Sequence, residues 1–184
     1  MQFERTALDG VAMIDLEPYE DTRGFFARAW CHREFAEHGL GAEFVQENIG
    51  LSSSVGTLRG LHVQRSPFEE AKLVRCTAGA VWDVAADLRP ASKTYLSWVG
   101  VELSAERRNM LYVPEGCAHG YVTLTDAAEV RYLTSEFYAS DAVAGVRYDD
   151  DALGIEWPRV ISLVSEQDRS WPLLTDSRPE RPGP

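Results

Sequence analysis

Short stretches of β-prone apolar residues, separated by turn-forming residues, dominate most of the chain. The clearest pair runs from Lys72 to Leu88, where the apolar run is interrupted at Thr77-Ala78-Gly79, a sequence typical of a turn between two strands. Further strands are predicted at intervals of roughly ten residues, over 95–103, 110–113, 119–124 and 128–134. This spacing predicts an all-β fold of two packed sheets.

Two segments depart from the strand pattern. Residues 33–39 combine good helix formers with a glycine at the end, which predicts one short N-terminal helix. Residues 176–184 contain three prolines and no apolar side chain, a composition that favours disorder. We therefore expect a single domain over residues 1–175, with short elements near its C-terminal end, and a disordered tail over 176–184.

Composition excludes several classes of protein. A formal net charge of -11 argues against nucleic-acid binding, so an anionic ligand needs a local cluster of basic side chains. The three cysteines are widely spaced and form no CxxC pair, which fits a reducing cytoplasm rather than a disulfide framework or a zinc site. No apolar run approaches the roughly 18 residues of a membrane span, and the first residues lack the order of a signal peptide. We expect a cytoplasmic protein without membrane or nucleic-acid partners.

The segment Arg59-Gly60-Leu61-His62-Val63-Gln64, followed by Lys72, carries the most informative chemistry. An imidazole changes its protonation state near neutral pH, and an arginine can hold a phosphate through its planar guanidinium. Together with the nearby lysine, these groups predict proton transfer on an anionic substrate.

Pro114-Glu115-Gly116-Cys117-Ala118-His119 is similar to the second half of the signature of metal-binding cupins. The first half of such a site needs an HxH pair, and this chain has His62-Val63-Gln64 in its place. An amide is a poor substitute for an imidazole ligand. The pattern therefore favours a cupin-like jelly roll that uses acid–base chemistry, with no metal and no cofactor.

A longer series of motifs, in order from about residue 5 to residue 174, resembles the dTDP-4-dehydrorhamnose 3,5-epimerase family. The motifs are Asp21-Thr22-Arg23-Gly24-Phe25-Phe26, Gln46-Glu47-Asn48, Arg59-Gly60-Leu61-His62, Lys72-Leu73-Val74-Arg75, Asp83-Val84, Asp87-Leu88-Arg89, Ala118-His119-Gly120, Tyr132 with Tyr138, and Leu153-Gly154-Ile155-Glu156-Trp157-Pro158. The resemblance implies a double-stranded jelly roll. It also implies epimerisation at C3, C5 or both of a nucleotide-linked 4-keto-6-deoxyhexose, converting dTDP-4-dehydro-6-deoxy-D-glucose to dTDP-4-dehydro-L-rhamnose.

The resemblance also implies a role for individual residues. His62 would be the base, Asp168 would orient it, Tyr132 would donate a proton from the opposite face, and Lys72 would stabilise the developing enolate. The residues expected to hold the substrate and its nucleotide are Arg23, Phe26, Gln46, Asn48, Arg59, Asp83, His119 and Tyr138, with Arg23 and Arg59 on the diphosphate and Tyr138 on the base. A homodimer is implied as well, in which an N-terminal strand crosses to complete the partner's site.

Several positions differ from the common family pattern: Arg28 stands where the family often has a glutamate, Ile49 where it has a histidine, and Gln167 where it has a lysine. These differences leave open a CDP-linked or other nucleotide sugar, and inversion of one carbon only. Two further classes remain as alternatives: a metal-dependent cupin oxygenase or isomerase, and a non-catalytic sugar-nucleotide-binding protein. The last is least favoured because both His62 and Tyr132 are present.

Overall fold

The computed structural model describes residues 1–41 and 43–174, within which the chain forms fourteen β-strands and two short helices. The strands are β1 (Gln2–Arg5), β2 (Ala12–Asp15), β3 (Tyr19–Asp21), β4 (Gly24–Phe26), β5 (Gln46–Ser52), β6 (Thr57–Gln64), β7 (Lys72–Ala78), β8 (Ala80–Asp87), β9 (Trp98–Ser104), β10 (Met110–Val113), β11 (Cys117–Thr123), β12 (Ala128–Thr134), β13 (Val143–Gly145) and β14 (Leu163–Val164). The helices are α1 (His32–Glu37) and α2 (Glu166–Ser170). The tail predicted over residues 176–184 lies outside the described residues.

The strands assemble into two large sheets and one separate hairpin. The first sheet has the order β1-β2-β10-β7-β12-β5, and the second has the order β13-β6-β11-β8-β9 with β14 added beside β6. All pairs are antiparallel except β14 with β6. Consecutive strands such as β6, β7 and β8 alternate between the two sheets, so the chain crosses repeatedly from one layer to the other. The predicted all-β jelly roll is confirmed.

The main core lies between the two sheets. It combines side chains such as Val74 and Leu111 of the first sheet with Val81 and Leu103 of the second. Burial of such side chains stabilises the fold by roughly 1.5–3 kcal/mol each. Because neighbouring residues of a strand point to opposite faces, the next positions along each strand face outward and need a separate cover.

Two segments supply that cover. Phe35 of α1 and Leu40 pack on the outward side chains of the first sheet. The segment after β13, including Val146 and Leu153, packs on those of the second sheet. The second cover has a functional consequence, because the chain then continues into α2, which lies against β6.

The predicted elements after residue 72 agree well with the structure. β10 and β12 have the predicted bounds, and α1 begins one residue before the predicted helix. β9 begins at Trp98 rather than at residue 95, because residues 94–97 form a turn in which the Ser97 N–H donates to the Thr94 carbonyl. The six strands before β7 had no matching prediction.

Two further observations concern the cysteines and the helices. Cys31, Cys76 and Cys117 are free thiols. Neither helix in the described ranges is long and apolar enough to cross a membrane.

A matched pair of valines tests the position of the core. Val113 is fully buried between the sheets, whereas Val160 is 86% exposed. We expect Val113→Ala to lower the free energy of unfolding by about 2 kcal/mol, since it removes buried methyl groups and leaves a cavity. Val160→Ala should change it by less than about 0.5 kcal/mol. Urea titration monitored by tryptophan fluorescence measures both, and equal effects would contradict the assigned core.

Candidate active site

A cavity of about 550 Å³ opens between the two sheets. Six of the residues predicted from the sequence line it together: Arg59, His62, Lys72, His119, Tyr132 and Asp168. Tyr121 and Gln167 also contribute to its wall. Another cavity of about 670 Å³ lies beside the β1–β2 turn, and none of the predicted residues lines it.

His62 and Asp168 form a closely hydrogen-bonded pair in this cavity. His62 Nε2 lies 2.6 Å from Asp168 Oδ1, and the aspartate is almost completely buried. A carboxylate accepts hydrogen bonds, so this contact assigns the ring proton to Nε2 and leaves Nδ1 as the basic nitrogen. Burial alone would raise the pKa of Asp168, but the hydrogen bond and charge of His62 outweigh it, with help from the Gly60 and Ser165 contacts, and the pKa is lowered. The carboxylate is therefore ionised at neutral pH.

Local backbone structure places Asp168 against the strand that carries His62. Ser165 caps α2 by accepting a hydrogen bond from the Asp168 N–H at 3.0 Å. The Gly60 N–H of β6 lies 3.3 Å from Asp168 Oδ2. Both oxygens of the carboxylate are thus held, one by the imidazole and one by the backbone of the same strand.

Two glycines allow β6 and β11 to approach closely beside His62. His119 pairs with His62 and Tyr121 pairs with Arg59, so the register shifts between these pairs. Gly60 has a φ of +133°, and a Cβ there would lie 2.5 Å from Gly120 Cα. Any side chain at either glycine would force the strands apart and displace the imidazole.

Lys72 lines the cavity, and the carboxylate of Glu70 compensates its charge. Its Nζ is 3.2 Å from Glu70 Oε1 and 3.5 Å from the carbonyl oxygen of His62. Both side chains of the ion pair are mostly buried. Glu70 was not predicted as a site residue, although it lies only two residues before Lys72 in the sequence.

Tyr132 belongs to the sheet opposite His62 and lines the same cavity. Burial raises the pKa of its phenol, the negative charge of Glu70 raises it further, and Arg59 opposes both effects. The phenol is therefore protonated at neutral pH and can donate a proton. A protonated phenol on one sheet and an imidazole on the other thus line the same cavity.

His119 and Asp83 form another buried imidazole–carboxylate pair. His119 Nε2 lies 2.9 Å from Asp83 Oδ1, and Asp83 is completely buried. Asp83 supports His119 from inside the sheet and does not itself line the cavity. Its second oxygen, Oδ2, has no hydrogen-bond partner among the described residues.

Arg59 lines the cavity, and its guanidinium is hydrogen-bonded to β5 of the other sheet. Its Nε donates to Ser52 Oγ at 3.1 Å, and one terminal nitrogen, Nη2, donates to the Leu51 carbonyl at 3.2 Å. The residue remains exposed, so further donors of the guanidinium face solvent and can meet an anion.

Besides Asp83, five of the predicted residues do not line the cavity. Arg23 and Phe26 lie on the exposed β3–β4 hairpin, where Arg23 pairs with Asp21. Gln46 and Asn48 lie on β5 and are joined by a 3.2 Å hydrogen bond, and Gln46 also accepts from the exposed Tyr138 N–H.

Gln64 occupies the position where a metal-binding cupin would have an imidazole. Its side-chain amide donates to the carbonyls of Phe68 and Phe137, and its oxygen accepts from the Ala139 N–H at 2.7 Å. These contacts tie two loops together. Across residues 1–41 and 43–174, no group of three or more His, Cys, Asp or Glu side chains is arranged to hold a metal.

Comparison with known proteins shows the family of the chain. Residues 5–176 match the family model of dTDP-4-dehydrorhamnose 3,5-epimerase. The chain belongs to this family. Its members are epimerases, a class of isomerase, and the chain is an enzyme of this class.

Three relatives show how far the similarity to the epimerase family extends. The dTDP-4-dehydrorhamnose 3,5-epimerase of Methanothermobacter thermautotrophicus is 42% identical over 179 residues, which cover 96% of both chains. The crystal structure of the corresponding epimerase of Elizabethkingia anophelis has a TM-score of 0.93 at 40% identity, covering 96% of this chain and 97% of the other. An epimerase of Legionella pneumophila in complex with dTDP-4-keto-L-rhamnose has a TM-score of 0.88 at 36% identity, covering 95% of this chain and 93% of the other.

Glu70→Gln tests the ion pair between Glu70 and Lys72 and the effect of Glu70 on Tyr132. Removing the carboxylate leaves Lys72 as an uncompensated buried cation, so we expect the free energy of unfolding to fall by about 3 kcal/mol. The pKa of Tyr132 should also fall, because a nearby negative charge that raises it is lost. Alkaline absorbance titration, with Tyr132→Phe as the background, measures this pKa. The neighbouring Glu69→Gln is the control, and identical titrations in the two glutamine variants would contradict the assignment.

Proposed function

We propose that this epimerase inverts C3 and C5 of dTDP-4-dehydro-6-deoxy-D-glucose to form dTDP-4-dehydro-L-rhamnose, without a cofactor. One observation carries the proposal: His62 of one sheet, paired with Asp168 of α2, and the half-buried phenol of Tyr132 on the opposite sheet line a single cavity. The epimerase from Legionella pneumophila, which binds dTDP-4-keto-L-rhamnose, supports the choice of substrate.

The base end of the reaction follows from the His62–Asp168 contact. The C–H groups at C3 and C5 flank the C4 ketone, so loss of either proton gives an enolate. His62 takes the proton at Nδ1 while Nε2–H stays bonded to Asp168, whose charge stabilises the imidazolium. Asp168 itself stays ionised, as its lowered pKa requires.

The acid end follows from Lys72 and Tyr132. The Lys72 ammonium stabilises the negative charge that develops on the C4 oxygen. Tyr132 then returns a proton to the carbon from the face opposite His62, which inverts the centre. Because one C–H bond is broken and one is formed at the same carbon, each inversion is redox-neutral. The imidazolium then loses its proton to water and the phenolate regains one from water before the next inversion.

The nucleotide end requires cationic groups at the cavity mouth. The exposed guanidinium of Arg59 suits the oxygens of a diphosphate, and His119 lies deeper in the same cavity. These local donors explain how a chain with a net charge of -11 can bind an anion.

We also propose that the enzyme is a homodimer in which the β3–β4 hairpin of one protomer completes the cavity of its partner. Arg23 and Phe26 are exposed and lie outside the cavity of their own chain. The aromatic residues Tyr19, Phe25, Phe26 and Trp30, all exposed, offer apolar area for such a contact. Gln46, Asn48 and Tyr138 would then meet the nucleotide at the shared edge.

We further propose that the enzyme acts in the cytoplasm and that residues 1–175 form its single domain. A metal-dependent cupin reaction is the alternative from another class. Purified protein that carries a stoichiometric transition metal, lost on replacing His62 or His119, would favour that alternative over the metal-free reaction.

Solvent deuterium incorporation tests the reaction. In D₂O we expect label at C3 and C5 of the dTDP-linked substrate, detected by NMR, and a loss of exchange of at least about 10³-fold in His62→Asn. Nucleotide binding by that variant, measured by calorimetry, should stay within about threefold of the unchanged protein, since His62 touches the sugar end. Label at one carbon, or only with CDP- or GDP-linked sugars, would assign a narrower epimerase. No label with any of the three nucleotides would refute the reaction.

Subunit complementation tests the shared site. Arg23→Ala and His62→Asn should each be inactive or nearly so, but a refolded equimolar mixture should regain about one quarter of full activity, because half of the dimers are mixed and each restores one site. The control is a mixture of His62→Asn with Asp168→Asn, which should regain nothing because both residues serve the same protomer's site. A monomer in sedimentation, or no recovery in the first mixture, would contradict the shared site.

A further inference from the structure

Asp168 has another partner that the sequence did not reveal. The indole N–H of Trp171 lies 3.3 Å from Asp168 Oδ1, the same oxygen that accepts the hydrogen bond from His62. Trp171 directly follows α2, so the helix carries both the carboxylate and this additional donor. Trp171 is not among the residues that line the cavity.

A glycine makes room for the indole next to His62. Gly145 of β13 pairs in register with His62 of β6. A Cβ at Gly145 would overlap the indole ring, so the ring occupies the place where a side chain at that position would lie. The imidazole and the indole are 6.3 Å apart between ring centroids, with planes at 71°. The indole therefore contacts both members of the His–Asp pair.

We propose that Trp171 is a positioning residue of the active site: its N–H holds Asp168 Oδ1 in line with His62 and takes up part of the negative charge that would otherwise act on the imidazole alone. Gly145 is the second part of this arrangement, because only a glycine admits the ring. The proposal deepens the function proposed above and rests on it for the catalytic consequence.

The physical effect follows from two donors that share one oxygen. A carboxylate oxygen that accepts two N–H groups carries less charge toward either of them than an oxygen that accepts one. Trp171 thus limits how strongly Asp168 favours the imidazolium. Loss of the indole N–H raises the pH at which His62 gains its proton.

Other charged or titratable groups also surround His62, and their effects must be kept constant. They are Asp168 of α2, His119 and Tyr121 of β11, Lys72 of β7, Tyr132 of β12 and Arg59 of β6, whereas β13 and β14 bring none. A Trp171 variant changes none of these charges, so a shift in the titration of His62 reports on the indole contact itself.

The test compares Trp171→Phe with the unchanged protein. Phenylalanine keeps an aromatic ring over Gly145 but removes the donor. We expect the NMR titration midpoint of His62, assigned among the four histidines by its absence in His62→Asn, to rise by roughly half a pH unit. The pH midpoint of the acid limb of the kcat/KM profile should rise by the same amount. KM measured on the alkaline side of the profile should change less than about twofold.

Trp157→Phe is the matched control. Its indole N–H donates to the Tyr148 carbonyl at 3.0 Å in the same C-terminal segment and does not contact the His–Asp pair. This variant should leave the His62 titration unchanged. Gly145→Ala provides a second test, because it keeps the indole but displaces it, and the midpoint should again rise.

A purely structural role for Trp171 would give a different result. It would lower the melting temperature of Trp171→Phe while the His62 midpoint stayed in place, and that outcome overturns the proposal. If the variants do not fold, the indole N–H resonance of Trp171 in the unchanged protein decides: it should shift at the His62 midpoint, and a resonance that does not follow that titration refutes the contact. These titrations need no substrate, so they fail or succeed independently of deuterium incorporation.

Discussion

The hydrogen bond between His62 and Asp168 is the contact on which the active site depends. It fixes the tautomer of His62 and holds the ring in place, and in the proposed mechanism it keeps a negative charge beside the imidazolium. The contact exists only because the C-terminal segment covers the outer face of the second sheet and returns α2 to β6. Packing of the C-terminal cover and acid–base chemistry are therefore linked through one aspartate.

A two-layer fold suits a reaction that needs groups on opposite faces of a ring. The second sheet supplies His62 and His119, and the first supplies Lys72 and Tyr132. The cavity lies between these layers, so the two sheets themselves separate the groups that the proposed mechanism uses as base and acid. The polar groups that this requires in the interior are each paired: His62 with Asp168, Lys72 with Glu70, and His119 with Asp83.

Sequence patterns predicted the fold best where apolar residues dominate. β10 and β12 were found with their bounds because their residues are mostly apolar and β-prone. β5 and β6 were not predicted, since they carry Asn48, Arg59, Gly60 and His62, which are poor strand formers or functional groups. Two of the strands that line the site, β5 and β6, thus have compositions less typical of strands, as expected where function competes with local preference.

The candidate site was predictable to the extent that its chemistry lies in short motifs. His62 and Lys72 were singled out by their local motif, Tyr132 and the separate roles came from family resemblance, and the structure brings all three residues to one cavity. Trp171 could not be inferred, because its contact with Asp168 depends on how the chain leaves α2 and on the space above Gly145. In the proposed dimer the location of Arg23 relative to a bound nucleotide likewise depends on how two chains assemble, which the motif around Arg23 does not show.

The sequence separation of the two partners in the His–Asp pair has a consequence for biosynthesis. They are 106 residues apart, so β6 leaves the ribosome long before the aspartate that orients its imidazole. A nascent chain that has already formed most of both sheets still lacks an oriented base. In the proposed mechanism, competence for proton abstraction therefore arises late, when the C-terminal segment docks, and an incompletely translated chain would not act on sugar nucleotides.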